Sequence, residues 1–518
     1  MFAFILCSLF YNKTEAQEIR LSIKPEERFK TFTGFGASLA YYENWLTAHP
    51  NKNEIYEALF DELSLDILRV RNAHGYDAGM ISRVKEFIRA SETIQGNPIP
   101  FLTTSWGPPA FLKSNNDRNN GGSLKYTLSA GKVEFDYEGF ANWWNESLDA
   151  YSAAGIFPTY VSIQNEPDFT ATYESCRLDP KEEINATDTI AGYNAALVAV
   201  YNKFQERDRK PFLLGPETIG IGYNAVRNYI NRLDKTKLDV VAHHLYHGIN
   251  VDNPWDNSTI YITGLIAEEI PHFQSEYSGN GWFPMSGLMY KTLVDENACA
   301  YFYWDLIWDG GGLVNLEFPW DRSRWTTARG YIKTKHFYTF KQFSAFIHPG
   351  WQRLNLTFVD EDVKALSFGN AATDSVSVVL INRSADKAKS VTFNIEGYNY
   401  NHTEAYVTSE VQNGEYIGGI TDSVITLPPY SVTTVLFTRI YHNAVEQFSN
   451  TCHIYPNPFS NQLIINGNRG KEWKLYSIDG LVLKTGSKNI VDGSNLKPGA
   501  YLLKTGTQVF RVIKKELP

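Results

Sequence analysis

Tyr160-Val161-Ser162-Ile163-Gln164-Asn165-Glu166-Pro167-Asp168 is the stretch on which the reading of this chain turns. Val161 and Ile163 are apolar and β-branched, the composition of a short buried strand. Three polar residues close it, and Pro167 stops it, because proline cannot donate to a sheet ladder. A buried strand that delivers Asn165 and Glu166 at its carboxyl end points a carboxyl group into a cleft. The plain alternative is a solvated Asn-Glu-Pro turn, and the rest of the chain decides between the two.

Working outward, strand cores recur at residues 34–37, 67–71, 100–104, 160–164, 212–215, 240–243, 272–275 and 300–304. Helical patterns lie between them, for example at residues 53–63, 137–154, 190–206 and 285–296. Repeated strand–helix units predict a parallel sheet, and eight of them predict an α/β fold, a closed (β/α)8 TIM barrel, over residues 31–348. Nearly every strand core is followed at once by residues able to do chemistry. These are Arg69, Arg71 and Asn72; Ser105 and Trp106; Asn165 and Glu166; Glu217; His244 and Tyr246; Glu276 and Tyr277; and Trp304 and Asp305. Active sites of such barrels lie at the carboxyl ends of the strands. The coincidence across seven strands favours the functional reading of Glu166 over the solvated turn.

The flanks read differently. Residues 349–438 hold short alternating runs, such as 363–368, 375–380 and 431–437, the pattern of an antiparallel side β-sandwich. The strand within residues 17–30 is expected to pair into it. Residues 439–451 read as a linker, and residues 452–518 as a small C-terminal β-sandwich domain whose Gly480 and Pro498-Gly499 are hairpin turn chemistry. Residues 1–16 resemble the apolar part of a secretory signal peptide, with cleavage expected near Ala16.

Composition narrows the partners. A net charge of −9 argues against a nucleic-acid backbone, which needs a basic surface. No internal apolar run reaches the roughly 18 residues a membrane span requires. The four cysteines, Cys7, Cys176, Cys299 and Cys452, are too scattered for a disulfide framework or a metal cluster. Twelve Trp and 31 Tyr supply many flat platforms of the kind sugar rings stack on.

Glu166 and Glu276 end strands four and seven. Two carboxyl groups facing each other across a barrel mouth suit glycosidic bond cleavage: one donates a proton to the leaving oxygen while the other attacks the anomeric carbon or activates water. Sequence leaves their separation, and so the stereochemical course, open. The competing use is a metal site drawing on His243, His244, His247 and Glu276. It is disfavoured, because no second compact ligand pair is visible, and no cofactor is expected.

The motifs Phe32-Thr33-Gly34-Phe35-Gly36-Ala37-Ser38, Ile67 to Arg71, Ser105 to Lys113, Ser162 to Asp168, Tyr173-Glu174-Ser175-Cys176, Gly215-Pro216-Glu217-Thr218, His244-Leu245-Tyr246 and Ser275-Glu276-Tyr277 together resemble glycoside hydrolase family 30. The likeness spans roughly residues 18–438. It implies a retaining mechanism with Glu166 as acid/base and Glu276 as nucleophile. It also implies that Asn165 holds the hydroxyl next to the anomeric carbon. Trp106, Tyr246 and Trp304 would wall the sugar site, Arg69 and His244 would hydrogen-bond Glu276 or the sugar, and Tyr277 belongs to the same substrate-binding set. Residues 173–176 most resemble the xylan-cleaving branch. Members that require a glucuronic acid branch carry an arginine pair after strand eight; this chain reads Asp305-Leu306-Ile307-Trp308-Asp309-Gly310 there. Lys291, Arg322 and Arg324 are the alternative cations, more simply read as solvated surface.

Tyr455-Pro456-Asn457-Pro458, Leu475 to Gly480 and Leu496 to Tyr501 resemble the C-terminal sorting domain of the type IX secretion system. The alternative is a carbohydrate-binding module, with Trp473, Tyr476 and Tyr501 as its aromatic candidates. The combined expectation is a secreted or cell-surface, monomeric endo-β-glycosidase, xylanase-like, acting on xylan or a related β-linked polysaccharide without glucuronate dependence. An exo-acting β-glucosidase or glucosylceramidase, an endo-β-1,6-glucanase, and a non-catalytic sugar-binding protein are the alternatives.

Overall fold

Eight parallel strands close into a barrel: Gly34–Ser38, Ile67–Arg71, Phe101–Thr104, Tyr160–Ser162, Phe212–Thr218, Val240–His244, His272–Glu276 and Ala300–Tyr303. Each expected strand core overlaps one of them, those at 100–104, 160–164 and 300–304 running one or two residues outside the observed bounds. The computed structural model describes residues 18–222, 225–247, 253–255, 270–318, 330–420, 424–439, 453–466, 471–506 and 508–515. The signal-like residues 1–16, most of the linker, Arg322 and Arg324 lie outside the described residues.

Side-chain parity explains how the barrel carries a site. Ile67, Leu102, Leu214, Ala242, Phe273 and Phe302 belong to the apolar cluster that plugs the barrel. Successive side chains alternate between faces, so the residue two positions on from a plugging residue points the same way, one layer higher. Those residues include Arg69 after Ile67, Thr104 after Leu102, His244 after Ala242 and Trp304 after Phe302. The opposite parity, such as Leu68 and Val70, packs under the surrounding helices.

The helices follow their apolar spacing. Met80–Gln95 buries Met80, Val84, Phe87, Ile88 and Ser91, one face of a 3.6-residue repeat. Asp136 caps Tyr137–Ala153 by accepting from Gly139 N–H. The helix expected at 53–63 is α-helical only over Lys52–Glu57 and continues as a π-helical turn over Ala58–Glu62. The helix expected at 285–296 begins earlier, at Trp282.

Beside the barrel lies one curled sheet of nine strands. The strand Glu18–Thr31 runs antiparallel to Gln352–Thr357 and parallel to Lys389–Ile395. The side structure is therefore not purely antiparallel, as the alternating pattern had suggested. Two chain segments more than 300 residues apart meet in it, so their relative direction is not set by a hairpin. Ile19, Leu21, Ile23, Leu354, Val378, Leu380 and Val435 share its core.

The chain divides into two units, residues 1–440 and 441–518. The second has a three-stranded and a four-stranded sheet around Phe459, Leu475, Leu503 and Val512. Trp473 is 5% and Tyr501 9% exposed in that core. With two of its three aromatic candidates buried, no exposed aromatic row for sugar binding is seen among the described residues of this unit.

Candidate active site

The turn that carries Asn165 and Glu166 is held by its own polar neighbours. Asn165 N–H donates to Ser105 O at 2.7 Å, Glu166 N–H to Glu217 O at 2.9 Å, and Gln164 Nε2 to Trp106 O at 2.7 Å. Glu166 and Glu217 both adopt positive φ, 43° and 56°, which is uncommon for non-glycine residues and concentrates at functional sites. At Glu217 the ladder with strand six also shifts register between Pro216 and Thr218. Such an irregularity re-aims a side chain, and here it turns Glu217 inward.

Five ionisable side chains meet under the barrel mouth. Arg69 is fully buried and donates through Nη1 to Glu276 Oε2 at 2.5 Å and through Nη2 to Asn165 Oδ1 at 2.7 Å. The same Nη2 lies 3.2 Å from Glu217 Oε1. His244 Nδ1 is 3.0 Å from Glu166 Oε1, while its Nε2 is 3.8 Å from Glu217 Oε1 and 3.9 Å from Glu276 Oε2. One carboxylate oxygen of Glu166 and one of Glu276 lie within 4.8 Å of each other. Between whole carboxyl groups, direct attack uses a separation of roughly 5–5.5 Å and an attacking water roughly 6.5–9.5 Å.

These contacts set the charges. Burial and the nearby Glu276 raise the pKa of Glu166, against the hydrogen bond from His244. Burial alone would lower His244, but Glu276, Glu166 and Glu217 push it up to about 9. Burial would raise Glu217, but Arg69 and His244 hold it down to about 2. Asp305 is fully buried beside them, and burial and Glu276 raise its pKa well above the ordinary carboxyl range.

Glu166, His244 and Glu276 are close enough together to ligate an ion. The site already has its cations, however. Arg69 occupies Glu276 Oε2, and an imidazole with a pKa of about 9 is a proton carrier at neutral pH, not a ligand lone pair. A metal ion there would compete with both. His243, the other histidine of that strand, pairs instead with Glu296 at 3.1 Å.

Above this floor opens a cavity of about 550 Å³, within the usual range for ligand sites. Of the expected residues, Trp106, Glu166, Tyr246, Glu276 and Trp304 line it. Arg69, Asn165 and His244 lie beneath the lining. Tyr277 is 3% exposed, and its ring centre lies 5.2 Å from that of Tyr246, next to the wall. Trp106 packs at 5.7 Å from Trp304, with the Arg69 guanidinium 4.6 Å from its ring centre. Tyr41, Tyr42, Phe169, Tyr173, His247 and Trp308 also line the cavity, and sequence reading missed them as wall residues. Tyr173 is half exposed at the rim. The Glu174 carboxylate anchors its loop, accepting from Arg71 at 2.9 Å, Arg118 at 3.3 Å and Tyr76 at 3.2 Å. After strand eight, Trp308 faces the cavity and Asp309 is exposed. Lys291 is buried and lies 3.6 Å from Asp295, so it is not the solvated cation it resembled.

Comparison with known proteins agrees with this layout. Residues 453–517 match the family model described as "Secretion system C-terminal sorting domain". Over 393 residues the chain is 22% identical to the "Glucuronoxylanase XynC" of Bacillus subtilis (strain 168), covering 73% of this chain and 82% of that protein. Among solved structures, the catalytic domain of GH30 xylanase C from Talaromyces cellulolyticus superimposes with a TM-score of 0.66 at 17% identity, over 81% of this chain and 100% of that one. An endo-β-1,6-glucanase superimposes with a TM-score of 0.58 at 15% identity, over 82% and 95%. The likeness to glycoside hydrolase family 30 in the barrel region, and to a sorting domain in the tail, is thus found by these comparisons as well.

Proposed function

We propose that the chain is a glycoside hydrolase that cleaves xylan or a related β-linked polysaccharide within the chain and with retention of configuration. The observation that carries this is the approach of Glu166 and Glu276 to within 4.8 Å, with a different charge environment on each. Glu276, neutralised by Arg69, attacks the anomeric carbon. Glu166, whose pKa burial raises, gives its proton to the leaving oxygen. Its Oε1 faces His244, so the transferable proton belongs on Oε2. Water then enters, Glu166 takes its proton, and the glycosyl–Glu276 ester is hydrolysed. Arg69 holds Asn165 Oδ1, which leaves the amide N–H groups of Asn165 as donors for the hydroxyl beside the reacting carbon. Trp106, Tyr246 and Trp304 supply apolar faces for the ring.

Glucuronate dependence is disfavoured, because the segment after strand eight offers Trp308 and Asp309 in place of cations. The same observation favours the second reading, a neutral β-glucan substrate as in the glucanase neighbour. In this proposal the chain comprises a barrel at 31–348, a side sheet at 17–30 with 349–438, a linker at 439–451 and a sorting unit at 452–518, behind a signal at 1–16. With that tail the protein would leave the cell by the type IX route, to be secreted or held at the surface. Purified protein assayed on plain xylan, glucuronoxylan, arabinoxylan and β-glucans, with products sized, tests substrate and endo action. Glu276→Gln is expected to lose nearly all turnover yet bind sugar. Full activity in that variant would overturn the assignment, and a parent protein that binds these glycans without cleaving any would establish the sugar-binding alternative.

A further inference from the structure

Glu217 touches no part of the cavity, yet it sits under both reacting carboxyls. It is fully buried. Its Oε1 lies 3.2 Å from Arg69 Nη2 and 3.8 Å from His244 Nε2, and its Oε2 accepts from Thr104 Oγ1 at 3.3 Å. Its backbone carbonyl accepts from Glu166 N–H at 2.9 Å. A bulged strand and a left-handed backbone are spent on aiming this one carboxylate inward.

We propose that Glu217 is a positioning residue for the double displacement: its carboxylate is the buried counter-charge that holds Arg69 and His244 between the two reacting carboxyls. The inference rests on the assignment of Glu166 and Glu276 given above.

The argument is a charge count. Arg69 and the His244 imidazolium carry two positive charges; Glu217 and Glu276 carry two negative ones. The cluster is therefore neutral when Glu166 holds its proton, the form the first step needs. Asp168, Asp305, Tyr193 and Tyr246 face the cluster from its edges, and burial makes each of them hold its proton more firmly than usual. In a site closed to water a net charge is costly, so neutrality selects the proton count. Without the charge of Glu217 the cluster would carry one excess positive charge. Releasing a proton from Glu166 or His244 relieves it, and release from Glu166 removes the general acid.

Glu217→Gln tests this, because glutamine keeps the shape and an acceptor oxygen but not the charge. The alkaline limb of kcat/KM is expected to move to lower pH by about one unit or more, a tenfold change in proton affinity. At neutral pH kcat on polymer should fall by about tenfold or more, with KM within about twofold, since Glu217 meets no substrate. An alkaline limb in its original place with kcat unchanged would overturn the proposal. A second measurement needs no substitution: the ¹⁵N spectrum of the His244 imidazole in the parent protein should report the doubly protonated ring at pH 7. A neutral ring at pH 6 would overturn the proposal even if Glu217→Gln did not fold. Full turnover by Glu276→Gln would instead overturn the reading of the site, and the His244 spectrum would still decide the charge role of Glu217.

Discussion

His244 Nδ1 stands 3.0 Å from Glu166 Oε1, and both groups are buried. The pair places a cation against the carboxyl that must be acidic enough to give up a proton yet protonated when substrate arrives. Burial and Glu276 raise the pKa of Glu166 against the pull of His244. The protonated form therefore persists above the ordinary carboxyl range and is lost as pH rises through the raised value.

The alkaline limb of kcat/KM is accordingly expected to titrate with Glu166. Replacing Glu166 with Gln should lower hydrolysis of the polymer by about 10²–10⁴-fold. An aryl glycoside whose leaving group needs no acid should suffer much less in the first step, and the alkaline limb should vanish from it. A variant that keeps that limb would assign it to another group.

Stability should also depend on pH through this cluster. Glu217 is held down to about 2 from an ordinary 4.5, so its contribution is complete above pH 4.5 and disappears as pH falls toward 2. His244 is raised to about 9 from 6.5, so its contribution is complete below pH 6.5 and disappears as pH rises through 9. The two overlap fully between pH 4.5 and 6.5. Calorimetry across the range should place the highest Tm in that window. A Tm still rising at pH 8 would contradict the protonation of His244.

Arg69 is the least replaceable residue of the floor. Its planar fork reaches Glu276, Asn165 and Glu217 at once. Lysine has one charged centre and cannot span the three. Arg69→Met leaves buried carboxylates uncompensated, a change that costs about 3–5 kcal/mol. Urea unfolding should read that loss, and Arg69→Lys should recover part of the stability but little of the turnover.

Much of this was legible in the sequence because parity carries information. Arg69, His244 and Trp304 each follow a plugging residue by two positions, so an apolar strand core also says which polar residue tops it. Glu217 breaks that rule. It stands three residues after Leu214, and only the bulge at Pro216 turns it inward. Tyr41 and Tyr42 were missed for a different reason: Ser38, Leu39 and Ala40 separate them from the first strand core, so they do not follow it directly. The parallel pairing of the N-terminal strand depends on a partner far along the chain, which no local pattern encodes.

Tyr173 offers a test of chain-length preference. It stands half exposed on a loop fixed by Glu174, at the edge of the cavity and away from the buried floor. Tyr173→Ala should leave the charge cluster intact. On a long polymer the loss of one stacking face should raise KM by about fivefold to tenfold, the worth of roughly 1 kcal/mol of ring contact. On a short aryl glycoside occupying only the central ring, KM should stay within about twofold. Equal effects on both substrates would place Tyr173 at the central ring and favour exo action.

The last expectation concerns metal ions, because Glu166, His244 and Glu276 are spaced as ligands could be. Two considerations oppose binding. A divalent ion would have to displace the Arg69 guanidinium from Glu276 Oε2 or sit beside it, and it would have to strip a proton from an imidazole with a pKa of about 9. The first penalty falls away only if Arg69 is removed, and the second only if the pH is raised. Prolonged dialysis against a chelator should therefore leave kcat and Tm unchanged at neutral pH. Added zinc should inhibit, if at all, with a potency that grows as pH rises, since the ion competes with the His244 proton. Loss of activity on chelation, restored by one particular ion, would show that the two acidic side chains serve as ligands and not as acid and nucleophile.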